Sequence, residues 1–244
     1  EGYVLLGRRE IGWFPFFQPA RVRVHVVDVV VPATDMRIGY VMGAGDEIPR
    51  ALAQLGLNVE QLTPEQLARE DLSRFHVIVL GIRAYDVRPD VREHNRRLLE
   101  FVERGGTLIV QYNQDIATFN RGNFTPYPAT LGRGRVTVEE APVEILAPED
   151  RLFHWPNRIT ERDFQGWVQE RGLYFMERWD DRFTPLLASQ DPGEPPLRGG
   201  LLRTRYGRGT YLFTGYAFFR QVPAGVPGAV RLFINLLYAG QEER

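Results

Sequence analysis

The side chains best suited to chemistry in this chain gather in three short polar segments, each directly after an apolar run. The first is Gly43-Ala44-Gly45-Asp46. Glycines at that spacing let backbone N–H groups approach an anion at the start of a following helix. A tight turn with Asp46 as helix cap explains the same residues, and the full dinucleotide fingerprint is missing. The second is Gly81-Ile82-Arg83-Ala84-Tyr85-Asp86. Arg83 offers a bidentate grip on a carboxylate or phosphate, and Tyr85 a ring on which a sugar can stack. An Arg83–Asp pair that stiffens the loop is the plainer reading. The third is Gln111-Tyr112-Asn113-Gln114, four hydrogen-bonding side chains in a row. Either they face a ligand or they satisfy neighbouring backbone groups at the start of a loop.

Further along, Trp167 lies in a segment with Glu170, Arg171 and Tyr174, an aromatic–amide–charge mixture typical of sugar-contacting surfaces. The alternative is an aromatic plug over a sheet edge. Arg220 and Gln221 follow a predicted hairpin and can join the same crevice. If the chain is a hydrolase of glycosides or amides, Asp46, Asp86 and Asp115 are its candidate carboxylates, and at least one of them then has a raised pKa in an enclosed pocket.

Other chemistries are excluded by composition. The 244 residues contain no cysteine and no lysine, so all 30 basic residues are arginine. That removes disulfides, thiolate metal sites, iron–sulfur clusters and cysteine nucleophiles. It also removes Schiff-base chemistry and a Walker-type phosphate lysine. The two serines, Ser73 and Ser189, lie outside any GxSxG elbow. His25, His76, His94 and His154 are scattered, without HxH or HExxH spacing, so neither a metal nor another cofactor is expected. His154, beside Trp155, is the histidine with the most suggestive surroundings. A net charge of -1 argues against a nucleic-acid partner. No run approaches the roughly 18 apolar residues of a membrane span. A start at Glu1 without a basic, then apolar, leader reads as a processed chain or excised fragment. The compartment stays open, and is extracytoplasmic if a longer parent carries a signal peptide.

The elements that must position these segments follow from periodicity. Ile38-Gly39-Tyr40-Val41-Met42, Asn58-Val59-Glu60-Gln61-Leu62, His76-Val77-Ile78-Val79-Leu80-Gly81 and Thr107-Leu108-Ile109-Val110 read as strands, three of them continuous apolar runs covered on both faces. Helical spacing joins Ile48, Ala51, Leu52 and Leu55, and again Val91, Leu98, Leu99 and Val102 within a single helix over 88–104. Thr63-Pro64-Glu65-Gln66 has the form of a capping box. The alternation predicts parallel strands with right-handed crossovers, an α/β, flavodoxin-like, doubly wound sheet. Residues 114–200 are expected to form an irregular, β-rich insertion with short strands at 136–138 and 185–188. A hairpin turning at Gly207-Arg208-Gly209 and a terminal helix carrying Ala229, Leu232, Phe233, Leu236 and Leu237 complete the domain. Residues 1–35 form a separate β segment. In it 21–31 is β-branched and its first half alternates polar with apolar like a half-buried strand, and Trp13-Phe14-Pro15-Phe16-Phe17 is an aromatic cluster broken by proline. They are either the tail of a preceding β domain or strands packed on the main one, which spans 36–244.

Several of these runs, together with Gly166-Trp167-Val168-Gln169-Glu170-Arg171-Gly172-Leu173-Tyr174 and Pro223-Ala224-Gly225-Val226-Pro227-Gly228-Ala229, resemble the C-terminal region of large bacterial PIG-L/LmbE-type N-acetylglucosaminyl deacetylase proteins. That region is similar to the class I glutamine amidotransferase-like superfamily. The resemblance covers about residues 36–240. It implies a mainly parallel flavodoxin-like sheet, with 1–35 as the tail of a β-sandwich-like spacer. The deacetylase zinc signature Ala-His-Pro-Asp-Asp is absent, so zinc-dependent deacetylation would belong to another part of a parent protein. The resemblance also implies a nucleophile just after the 107–110 strand, where Gln111-Tyr112-Asn113 stand instead of cysteine. None of these can form a glutamyl thioester. The expectation is a non-catalytic, amidotransferase-like accessory domain. It binds carbohydrate, or another domain of the same protein, through Gly43, Asp46, Arg83, Tyr85, Asp86, Gln111, Tyr112, Asn113, Trp167 and Arg220. The alternatives are the carboxylate hydrolase and a structural role in homo-oligomerisation.

Overall fold

The computed structural model describes residues 2–18, 24, 26–33 and 35–241. Strands β1 (Gly2–Arg8) and β2 (Gly12–Gln18) pair as an antiparallel hairpin. Its apolar side chains are exposed, Tyr3, Leu5, Trp13 and Phe14 among them. The run at 21–31 was expected to be a strand, and its residues 21–23 and 25, His25 included, lie outside the described set. In the described part Val27, Val29 and Val31 are half-buried against the core, but it pairs with no described strand. The reason is local: the side-chain amide of Asn157 takes the place of a neighbouring strand. Its Oδ1 accepts from the Val30 N–H at 2.7 Å and its Nδ2 donates to the Val30 carbonyl at 3.0 Å. Arg231 donates to the Asp28 carbonyl and Tyr238 to the Pro32 carbonyl, so this strap is tied to the last helix.

The α/β alternation follows: β3 (Arg37–Val41), α1 (Ile48–Gln54), β4 (Asn58–Gln61), α2 (Pro64–Arg69), β5 (Val77–Leu80), α3 (Ala84–Val87), α4 (Pro89–Glu93), α5 (Asn95–Glu103), β6 (Thr107–Gln111) and α6 (Ile116–Gly122). The capping box forms as read: Thr63 Oγ1 accepts from the Gln66 N–H, and Gln66 Oε1 from the Thr63 N–H. The helix expected over 88–104 is broken at His94 into α4 and α5. Asn95 accounts for the break. It turns inward to 8% exposure, accepts from the Tyr85 hydroxyl at 2.6 Å and donates to the Phe124 carbonyl.

The segment after α6 holds β7 (Ala129–Val136), β8 (Val143–Ile145), β9 (Gly172–Trp179), β10 (Thr184–Pro185) and β11 (Leu187–Ser189). β7 pairs with β9, with register shifts around Gly134, and β8 pairs with β11. Of the strand expected at 136–138, Val136 ends β7, while the N–H groups of Thr137 and Val138 donate to the Asp191 carboxylate. The run at 185–188 divides between two sheets, because β10 pairs with β12 (Leu201–Tyr206) and β11 with β8. The hairpin of β12 and β13 (Gly209–Thr214) turns at Gly207, whose φ of 58° suits a residue without Cβ. α7 (Phe218–Gln221) and α8 (Pro227–Leu237) close the chain.

The main sheet runs β10-β12-β13-β6-β5-β3-β4. β13, β6, β5, β3 and β4 are parallel, and β12 and β10 extend the sheet in antiparallel fashion. Taken in chain order, the five parallel strands stand as 2-1-3-4-5, the flavodoxin-like arrangement. All residues of β5, β6 and β13 are buried, because both faces are covered. Ile38, Tyr40, Val77, Val79, Ile109 and Leu212 pack with α1 and α8 on one face. Val41, Ile78, Leu80, Leu108, Val110 and Phe213 pack with α2 to α6 on the other. No helix among the described residues is long and apolar enough to cross a membrane.

Candidate ligand site at the carboxyl end of the sheet

In this strand order the chain reverses direction between β3 and β5, and ligands of such sheets bind outside the carboxyl ends of the strands at that point. The three predicted loops do meet there, by bonding to one another. The Ala44 N–H donates to the Ile82 carbonyl at 2.8 Å, and the Arg83 N–H to the Tyr112 carbonyl at 2.7 Å. The Gln114 N–H donates to Asp86 Oδ2 at 2.9 Å. Gly43 is needed for this closure: a Cβ there would lie 2.0 Å from the Ile82 carbonyl oxygen. Its role is close approach between loops, where the sequence suggested an anion cradle.

Beneath the closed loops lies a polar chain. The Tyr40 hydroxyl donates to Asp46 at 2.8 Å, the Ile48 N–H donates to Asp46 Oδ1 at 3.0 Å, and Gln111 Nε2 donates to the Tyr40 hydroxyl at 2.9 Å. Burial raises the Asp46 carboxyl above its usual range and pushes the Tyr40 hydroxyl up as well. Gln111 is 1% exposed, and its Oε1 has no hydrogen-bond partner. Asn113, fully buried, accepts from the Tyr85 N–H and donates to the Gln111 carbonyl. Gln111 and Asn113 therefore brace the loops and do not reach a ligand.

Two expected contact residues are core residues. Tyr85 is fully buried, stacked on Phe124 with ring centroids 4.3 Å apart. A ring enclosed in this way has no free face for a sugar. Trp167 is 3% exposed, donates its indole N–H to the Asp163 carbonyl and packs edge-on against Tyr216. It is a plug inside the α8-side core. Asp86 is spoken for: it pairs with Arg83 at 3.2 Å and accepts from the N–H groups of Gln114 and Asp115. Asp115 accepts from the Thr118 N–H, and that bond and the Thr118 hydroxyl hold its carboxyl below the usual range.

What remains at this end is an aromatic cluster in which Tyr112 is buried and Tyr174 and Phe219 are half-buried. The Tyr112 ring lies nearly parallel to that of Tyr174, centroids 6.2 Å apart and 12° between planes, and 5.3 Å from Phe219. Arg220 crosses Phe219 at 4.8 Å and pairs with Glu170 at 2.9 Å. Burial raises the Tyr112 hydroxyl above its ordinary value, and the charges of Arg83 and Arg220 pull it back. The cluster is held by strained backbone. Arg83, Gln169 and Tyr174 have φ of 58°, 68° and 53°. Each costs on the order of 1–3 kcal/mol unless the surroundings enforce it. From Tyr174 a groove of ≈ 570 Å³ runs between Gln114, Asp115, Ile116, Arg121 and Arg133.

The turn after β5 has left-handed Arg83 at its apex, and residues 111–113 after β6 have no positive φ. Among the described residues no group of three His, Asp or Glu side chains could hold a metal ion. His154 Nε2 donates to the Pro148 carbonyl at 2.6 Å.

Of the predicted set, Arg83, Asp86 and Arg220 border this cluster and Tyr112 is buried within it, while Gly43, Asp46, Gln111 and Asn113 lie beneath it. Phe219, Arg121 and Arg133 were missed. No local signal marks the two arginines, because α6 and β7 bring them together only in the fold.

No family model matches the chain, and no curated protein matches it. Among solved structures it is similar to a cytoplasmic protein from Salmonella typhimurium LT2, at 12% identity and TM-score 0.53, over 85% of this chain and 100% of that one. It is similar too to a putative ThuA-like protein from Bacteroides uniformis ATCC 8492, at 11% identity and TM-score 0.52, over 86% and 93% of the two chains. At these identities the likeness is one of fold alone.

Proposed function

We propose that this chain is a non-catalytic, amidotransferase-like binding domain that takes carbohydrate at the carboxyl end of its sheet. The observation that carries the reading is Tyr174, half-buried and parallel to the buried Tyr112, which lines a groove beside the loop that leaves the carboxyl end of β6. The outer face of Tyr174 offers an apolar platform for a sugar ring, and paired Arg–carboxylate groups at the rim offer hydrogen bonds to hydroxyls. The chain has no cysteine, so the thioester chemistry of amidotransferases has no group to perform it. All three candidate acids, Asp46, Asp86 and Asp115, accept from backbone N–H groups. That this domain accompanies a PIG-L-type deacetylase rests on the sequence resemblance alone.

The test is glycan-array and calorimetric screening of the chain, with N-acetylglucosamine-containing sugars included, against Tyr174→Gly. Glycine removes the ring yet fits the left-handed backbone. Binding by the parent and its loss in the variant are expected. An array without a single bound glycan would overturn the reading.

A further inference from the structure

The groove beside Tyr174 is lined by two guanidinium groups, neither held in a salt bridge, and the charge of Arg121 helps to lower the Asp115 carboxyl on the same wall. Neighbouring arginines are engaged: Arg83 with Asp86, Arg220 with Glu170, Arg88 with Asp90, and Arg92 with the carbonyls of Tyr85 and Asp86. Arg121 donates only its Nε, to the Ala117 carbonyl one turn back at 3.2 Å. Arg133 has no hydrogen-bond or ion-pair partner among the described residues. Two cations set against the one carboxylate of Asp115 leave the concave surface net positive and attractive to an anion, and the guanidinium fork matches a carboxylate in two parallel bonds.

The rest of the groove argues against a bare anion. The Asp115 carboxylate lines it and would repel a compact anion, though it can accept from hydroxyl groups. Gln114 adds an exposed side-chain amide. Tyr174 adds an aromatic face, its backbone held at φ 53°. A ligand that fits has a ring to lie on Tyr174, hydroxyls for Asp115 and Gln114, and one acidic substituent for the arginines.

Resting on the carbohydrate reading above, we infer that the groove is specific for acidic sugars, pyranose residues that bear a carboxylate, with Arg121 and Arg133 gripping the acid. The test is calorimetric titration of the full chain with glucuronate, galacturonate, glucose, galactose and acetate, at low and high salt. At least one uronate is expected to bind about tenfold more tightly than its neutral counterpart, the scale of one charge-assisted contact. Added salt should weaken it. The double variant Arg121→Gln/Arg133→Gln should remove the preference for uronate over neutral sugar while its thermal midpoint stays unchanged. Equal binding of uronate and neutral sugar would overturn the acidic specificity and leave the carbohydrate reading standing. Acetate binding as tightly as uronate would overturn the sugar requirement. Failure of every sugar would overturn both.

Discussion

Asp46 sits under the closed loops with a carboxyl pKa raised by burial, and that has a consequence for stability. Between the ordinary carboxylate value and the raised one, the folded protein holds a proton that the unfolded chain has released. The contribution of Asp46 is therefore complete below the ordinary value and is lost as pH rises through the folded value. Asp46→Asn is neutral throughout and keeps an oxygen for the Ile48 N–H. The stability of this variant relative to the parent should grow from about pH 4 toward neutrality and then level off. Urea titrations across that range measure it, and a pH-independent difference would show that Asp46 ionises as freely in the fold as in the unfolded chain. Gly43 makes a second residue-scale prediction. An added methyl group would meet the Ile82 carbonyl at 2.0 Å, and Gly43→Ala should cost about 1–3 kcal/mol, the usual penalty of overpacking. A denaturant midpoint unchanged by the substitution would contradict the closed contact between these loops.

Elements whose signal is local were legible in the sequence. The continuous apolar runs became β3, β5 and β6, and Thr63 and Gln66 cap α2 reciprocally. Thr63→Ala should lower stability by about 0.5–2 kcal/mol in denaturant titration, the typical worth of such a cap. What was not legible depends on partners distant in sequence. The single helix expected over 88–104 breaks because Tyr85 and Phe124 draw Asn95 inward. β7 and β9 find each other across more than thirty residues, with a register altered at Gly134. The site shows the same division. The loops after β3, β5 and β6 were recognisable from their polarity and do meet in the fold, but polarity does not say which side chains face outward. Tyr85 and Trp167 read as ligand contacts and are core, while Arg121 and Arg133 read as ordinary surface charges and share the groove.

At the scale of the molecule, the sheet with its two covered faces accounts for the core, and neither hydrophobic cluster draws on residues 2–18. A lone two-stranded hairpin is marginal in water, yet this one displays Trp13 at 65% and Phe14 at 62% exposure. Such a surface suits docking onto another domain or a second copy, an alternative role to carbohydrate binding. Removing residues 1–18 should leave the thermal midpoint unchanged and abolish any concentration-dependent mass seen by light scattering or sedimentation. A large drop in the midpoint would place the hairpin inside the cooperative unit. The strap at 26–33 gives this arrangement a mechanical character. Its bonds run to Asn157, Arg231 and Tyr238, and Asn157 in turn is gripped by Asn235 of α8. A force applied through the hairpin would therefore be borne first by the terminal helix and only afterwards by the sheet. The groove, lined by the loop before α6, by α6 and by the β7–β9 pair, shares none of these bonds.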